Sequence, residues 1–292
     1  MCATGWAMRR LFCLWIVLLF LLGCVEEVSP PELPADEIEG ELLSVVEETE
    51  YWVAYESPSA HALSLGYGDG ELYASDLITG EVFKLQEEEK GLKLVETVKV
   101  LPNEASDFGQ GRDLTWDWKN LWSINWGALT QHDVSLEPIL SVDEEGQGPD
   151  YPNLHHMKSI AWDGERMWSG DDGGILLHAE DNFAVEKHLA YPLGVMGSVG
   201  MSFHNGELWV AGRGHGRVYQ IAFVGEELEL VDSYSIVQQP FGLTWDENNL
   251  WLYDWDTELI YKVKQLPEES LDPGEDCLLD QKYTIPLKME KD

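Results

Sequence analysis

The stretch Leu243-Thr244-Trp245-Asp246-Glu247-Asn248-Asn249-Leu250-Trp251 decides the fold. Leu243 and Trp245 alternate with polar neighbours, the period of 2 that marks a strand with one buried face. The polar quartet after Trp245 is a turn, and Leu250-Trp251 opens a second strand. The same phrase recurs without gaps at Leu114–Trp122, Ile160–Trp168 and Met201–Trp209, and more weakly at Leu65–Tyr73. Its anchors Leu72, Leu121, Met167, Leu208 and Leu250 follow one another at 49, 46, 41 and 42 residues.

Working outward, each phrase runs on into a third strand, such as Arg217–Ile221 or Leu259–Val263, and a fourth, such as Leu94–Val100 or Leu230–Ile236. Four antiparallel strands in each repeat of about 45 residues is the pattern of a β-propeller blade. The expectation is an all-β, five-bladed propeller with the strands at Leu65, Leu114, Ile160, Met201 and Leu243 innermost. Tyr51–Tyr55 is placed to supply the outer strand of the last blade and close the ring. A spare strand at Lys282–Pro286 is an alternative candidate for that closing strand, or for part of a sixth blade. Both aromatic columns read as core wedges between blades: Trp116, Trp162, Phe203, Trp245, and Trp122, Trp168, Trp209, Trp251.

The chain has 292 residues with 18 Lys+Arg against 54 Asp+Glu, a net charge of −36. So acidic a chain is repelled by phosphate backbones, which excludes nucleic acid as a partner. Arg9 and Arg10 precede an unbroken apolar run, Leu11–Leu22, of 12 residues. That length suits a signal peptide and falls short of the roughly 20 residues needed to span a bilayer. Cleavage after Gly23 leaves 269 residues with 16 Lys+Arg and 54 Asp+Glu, a net charge of −38. Residues 24–41 carry three prolines and seven Glu or Asp, an extended self-repelling tether. The domain plan is therefore signal peptide 1–23, tether 24–41 and propeller 42–292.

Leu21-Leu22-Gly23-Cys24 resembles the lipobox of bacterial lipoproteins, which implies lipid on the thiol of Cys24. The implied location is extracytoplasmic, membrane-anchored through that lipid, at the cell surface or in the periplasm. Cys277 is then the one remaining thiol, so no intramolecular disulfide is expected. The repeated L-T-W-D-x-x-x-L-W resembles exported bacterial and archaeal propellers: the glutamine cyclotransferase family, gluconolactonase-like proteins, and NHL- or YncE-like propellers. Phe108-Gly-Gln-Gly111 is similar to the Phe-Thr-Gln-Gly-Leu of the cyclotransferases. Their Asn-Glu-Leu-Glu motif, with its acid–base Glu, aligns with Gly197-Ser-Val-Gly-Met201, which has no Glu.

Loops leading into the first strands, and those between second and third strands, open on one face of a propeller. They carry His61, Arg112, Asp113, His156, Lys158, Arg213, Trp126 and Trp255, the candidate ligand-binding residues. Two of the four arginines outside the signal are among them, a cationic spot suited to a carboxylate or anionic sugar. Trp126 and Trp255 lie outside the aromatic columns and are candidate stacking platforms. Asp113, His156 and Asp171 are the candidate acids or bases should the site be catalytic. The recurring Asp76, Asn125, Asp171 and Asp254 read as turn-formers. Asp254-x-Asp256-x-Glu258 is a weak calcium candidate, and no other metal or cofactor pattern is present. The favoured function is non-catalytic capture of a small-molecule, carbohydrate or protein ligand. A cyclotransferase-like or lactonase/lyase-like enzyme and a structural surface component are the alternatives.

Overall fold

The computed structural model describes residues 41–61, 63–99, 113–125, 128–143, 157–179, 183, 185–192, 195, 197–212 and 216–266. Every regular element among them is a strand. Two leading strands, β1 (Leu42–Glu48) and β2 (Trp52–Glu56), precede the first repeat: β3 (Leu63–Gly68), β4 (Glu71–Asp76), β5 (Glu81–Glu88) and β6 (Gly91–Lys99). The second comprises β7 (Asp113–Trp116), β8 (Leu121–Asn125), β9 (Ala128–His132) and β10 (Pro138–Asp143). The third comprises β11 (Ser159–Trp162), β12 (Met167–Gly170), β13 (Gly174–His178) and β14 (Val185–Ala190). The fourth comprises β15 (Ser198–His204), β16 (Glu207–Gly212), β17 (Arg217–Val224) and β18 (Glu227–Tyr234). The last begins with β19 (Pro240–Trp245), β20 (Leu250–Asp254) and β21 (Leu259–Val263).

Three repeats form separate four-stranded sheets, and a nine-stranded sheet runs β19-β20-β21-β2-β1-β6-β5-β4-β3. Within that sheet, β2 pairs antiparallel with β21, Tyr55 opposite Ile260, and so completes the last repeat. β2 thus takes the place in the last repeat that the sequence pattern allows for Tyr51–Tyr55. β1 does something the sequence did not disclose. Its first residues pair with β6, Leu43 opposite Leu92, and its later ones with β2, Val45 opposite Tyr55, across a bulge between Val45 and Glu47. One strand therefore stitches the outer edges of the first and last repeats together and leaves neither edge bare. Gly91 permits this, since a Cβ there would sit 2.1 Å from the Leu43 carbonyl oxygen.

The first strand of each repeat touches its neighbours in a cycle, β3 to β7 to β11 to β15 to β19 and back to β3. Leu72, Leu121, Leu208 and Leu250, the phrase anchors, are essentially fully buried. Each such leucine contributes about 1.5–3 kcal/mol over leaving it exposed. The outer aromatic column behaves as the sequence implies: Tyr73, Trp122, Trp168, Trp209 and Trp251 are all buried. Lys282–Pro286, the spare strand of the sequence pattern, lies outside the described residues.

The phrase owes its Trp-Asp pair to the turn. In three repeats one carboxylate oxygen accepts two turn N–H groups while the other accepts an indole N–H five residues on. Asp117 holds Lys119, Asn120 and Trp122; Asp163 holds Glu165, Arg166 and Trp168; Asp246 holds Asn248, Asn249 and Trp251. The fourth repeat has His204 at that position, and there the buried Trp209 Nε1 lacks an acceptor. His204 instead stacks on the Trp245 ring, 4.0 Å between centroids.

Candidate functional site

At the start of the first strands, one carboxylate crosses the axis. Asp113 opens β7 and is fully buried. Its Oδ2 accepts the backbone N–H of Ile160 on β11 at 2.9 Å and that of Met201 on β15 at 3.1 Å. Ser64, Ser159, Gly200 and Gly242 occupy the same register on the other first strands. At two of these positions a Cβ would run into the next first strand, 2.6 Å from the Phe241 carbonyl oxygen at Gly200 and 2.5 Å from that of Leu63 at Gly242. Burial pushes its carboxyl well above the usual carboxylate range, against the hydrogen bonds from Ile160 and Met201. A group with no exposed surface and two backbone partners is a staple between repeats. The sequence reading, which put Asp113 at an open mouth, is corrected on this point.

The remaining candidates on that side are tied down within their own repeats. His61 is exposed, and its Nδ1 lies 2.9 Å from Asp76 Oδ2, which also accepts the Ser59 hydroxyl. Asp76 Oδ1 caps the N–H groups of Ile78 and Thr79. Burial raises the Asp76 carboxyl, but these bonds outweigh it and hold it below the usual range. Lys158 forms an ion pair with Asp172. Asp171 Oδ1 accepts from Gly173 and Gly174 in a turn, the role expected of its column. Trp255 is 48% exposed, its ring 5.3 Å from that of Phe241. Arg112, Trp126, His156, Arg213 and Cys24 lie outside the described residues.

Asp254 is fully buried, with Oδ1 accepting from the Gln239 N–H and Oδ2 from the Thr257 hydroxyl. Its lone pairs serve the turn, and among the described residues no three His, Cys, Asp or Glu groups come together to hold a metal ion. The structure also contains two buried Ser–His contacts that sequence reasoning missed. Ser123 Oγ lies 2.8 Å from His132 Nε2, and Ser169 Oγ lies 2.7 Å from His178 Nε2. Burial lowers the His132 imidazole to about 4 and lowers that of His178 as well. Both pairs are sealed inside their sheets. The repeated spacing of nine between Ser and His was the available signal.

A cavity of about 690 Å³ opens at the opposite end of the first strands, among the turns that join each to its second strand. Tyr67, Trp116, Trp162, Phe203 and Trp245, one from each repeat, line it. All five are half-buried, so the inner aromatic column is only partly the set of core wedges the sequence suggested. These rings sit at or next to the last residue of their first strands, where each is partly exposed. The Trp116 ring lies directly over Gly68, where an added Cβ would meet it at 2.1 Å. Trp118 stands on the rim, 77% exposed at φ 71. A bulky residue in the left-handed region costs about 1–3 kcal/mol and is held by its surroundings.

Asp69, Asp163, Asp246 and Glu247 also line this mouth, and no Lys or Arg is among its described lining residues. Asp246 is held ionised: burial raises its carboxyl, but bonds from Asn248, Trp251 and Asn249 bring it below the usual range. Burial keeps the His204 imidazole low. Tyr67, Thr115, Ser202 and Thr244 supply hydroxyls, and Thr115 Oγ1 already accepts the Trp162 backbone N–H.

No protein-family model matches this chain, and no curated protein matches it. Among solved structures it is similar to the glutaminyl cyclase of Myxococcus xanthus, at 12% identity and a TM-score of 0.54, over 80% of this chain and 100% of that one. It is also similar to a nidogen/laminin complex, at 13% identity and a TM-score of 0.48, over 78% of this chain and 91% of that one. A third similar structure is the PQQ-bound aldose sugar dehydrogenase of Streptomyces coelicolor, at 15%, a TM-score of 0.42, and 77% and 84% coverage. At such identities the likeness concerns fold alone and rests on the first of these: the chain is an all-β, antiparallel β-propeller.

Proposed function

We propose that this chain is a lipid-anchored, extracytoplasmic, five-bladed β-propeller that captures a small ligand in its channel mouth and performs no chemistry on it. The blade count is supported by the cycle of five first strands, with β2 completing the fifth blade. Lipid on Cys24 and the tether over residues 24–41 would hold the propeller off the membrane.

The observation that carries the capture reading is the ring of five aromatic side chains around a cavity of about 690 Å³. That volume lies in the range of small-molecule sites, and aromatic walls with a few polar groups are their usual lining. The non-catalytic part rests on how the cavity's groups are occupied. Asp163 and Asp246 spend their oxygens on turn and indole N–H groups. His204 is stacked on Trp245 with its Nε2 against the Asn205 amide. The experiment is a thermal-shift screen of the purified chain against organic cations, sugars and peptides, with products of every hit followed by mass spectrometry. Stabilisation by a ligand recovered unchanged supports the reading; turnover, or no hit in any class, overturns it.

One observation favours an enzyme as the second reading. His61 on the opposite face is exposed and oriented by a buried carboxylate, Asp76, the arrangement of a general base and its positioning partner. A lactonase-like or cyclotransferase-like activity would then reside there. Loss of turnover in His61→Gln, with ligand capture at the aromatic mouth intact, would establish it.

A further inference from the structure

Resting on the capture reading above, we infer that the aromatic mouth selects an alkylated ammonium group, a cation carrying methyl groups in place of N–H bonds. Three observations converge. The walls are aromatic: Tyr67, Trp116, Trp118, Trp162, Phe203 and Trp245 line the cavity. Ring faces attract cations, most strongly where water is excluded. The field is negative, because the described lining holds Asp69, Asp163, Asp246 and Glu247 and no Lys or Arg. Such a cavity repels carboxylates and phosphates and draws cations in.

The third observation separates an alkylated ammonium from a sugar or a primary amine. A sugar needs many directional donors and acceptors, and a primary ammonium needs three acceptors. Two of the four lining carboxylates, Asp163 and Asp246, are largely engaged, while Asp69 and Glu247 are exposed and supply charge at the rim. Asp163 already accepts from Glu165, Arg166 and Trp168, and Asp246 from Asn248, Asn249 and Trp251. Thr115 Oγ1 is taken by the Trp162 N–H. A site rich in aromatic surface and negative field, with two of its four carboxylates already engaged, suits a cation that asks for few hydrogen bonds. At the opposite end of the first strands, among the described residues, Asp113 is fully buried and bonded to two neighbouring strands.

The probe pair is choline and 3,3-dimethyl-1-butanol, which share a shape and differ by a positive charge. The full chain, held in a non-ionic, sugar-free detergent, is titrated with each while its indole N–H signals are followed by NMR. Choline should bind at least tenfold more tightly than the neutral alcohol and shift Trp116, Trp118, Trp162 and Trp245. Asp69→Asn with Glu247→Gln removes two exposed charges at the mouth, and Asn suits the φ 52 of position 69. This variant should weaken choline threefold or more and leave the alcohol unchanged. Gly68→Ala, which displaces the Trp116 ring, should weaken choline by a similar factor; Trp162→Leu guards against misfolding of that variant. Equal affinity for the two probes overturns the inference, as does choline failing to move these signals. If cellobiose moves the same indoles while choline does not, the cation assignment alone fails. If neither probe nor sugar nor peptide moves them, the capture reading fails with it.

Discussion

Removing the Asp113 carboxyl tests how the axis is held. In Asp113→Ala, the N–H groups of Ile160 and Met201, accepted at 2.9 and 3.1 Å, lose their acceptor inside the protein. A buried donor left unpaired costs about 1–3 kcal/mol, so the two together cost about 2–6 kcal/mol. Asp113→Asn keeps an acceptor oxygen in the same place and carries no charge, so it should match the parent within about 1 kcal/mol or exceed it at neutral pH. The sign follows from the raised carboxyl. A group titrating higher folded than unfolded adds stability that is complete below the unfolded value, about 3.9, and is lost as pH rises through the folded value. The parent should therefore lose stability relative to Asp113→Asn from about pH 4 upward. Urea unfolding of all three proteins at several pH values measures this. Asp113→Ala within 1 kcal/mol of the parent, or Asp113→Asn falling as far as Asp113→Ala, would refute the staple.

His132 titrates in the other sense: lowered to about 4 by burial, it should cost stability as pH falls from about 6.5 to 4, on the order of 3 kcal/mol, and His132→Gln should reduce that acid sensitivity in a pH series of melts. Asp246→Ala, which strips the turn N–H groups and the Trp251 indole of their acceptor, should cost about 2–4 kcal/mol by urea unfolding, while Asp69→Asn stays within about 0.5 kcal/mol. A chain starting after β1 should fold with reduced stability. One starting after β2 should self-associate in size-exclusion chromatography, because β21 becomes an open edge. Cys24→Ser should leave protein that no longer fractionates with membranes; unchanged fractionation would end the lipoprotein reading.

The propeller was legible because its repeat is carried by residues whose local physics is fixed. Leu243 and Trp245 alternate, Asn205-Gly206 turns, and Tyr51–Tyr55 has the form of an outer strand awaiting a partner. The double role of β1 was not legible, since splitting one strand between two neighbours leaves no periodic trace. The placement of the site was only partly readable. Asp113 looks like any charged residue ahead of a strand, and only the small residues at its register in the other repeats hint that it crosses the axis. Trp116, Trp162 and Trp245 have the same alternation as buried wedges. Their half-exposure arises because the channel widens where each first strand ends, a property of the closed ring rather than of any one repeat.

On the capture reading proposed above, ligand enters at the aromatic mouth formed by the first-to-second-strand turns. The direct measurement is an indole-resolved NMR titration of the full chain with whichever ligand the thermal-shift screen returns, signals being assigned by single Trp→Phe changes. Shifts at Trp116, Trp118, Trp162 and Trp245, with Trp255 unmoved, are the expected result. Shifts confined to Trp255, on the face that carries His61 and Lys158, would contradict it.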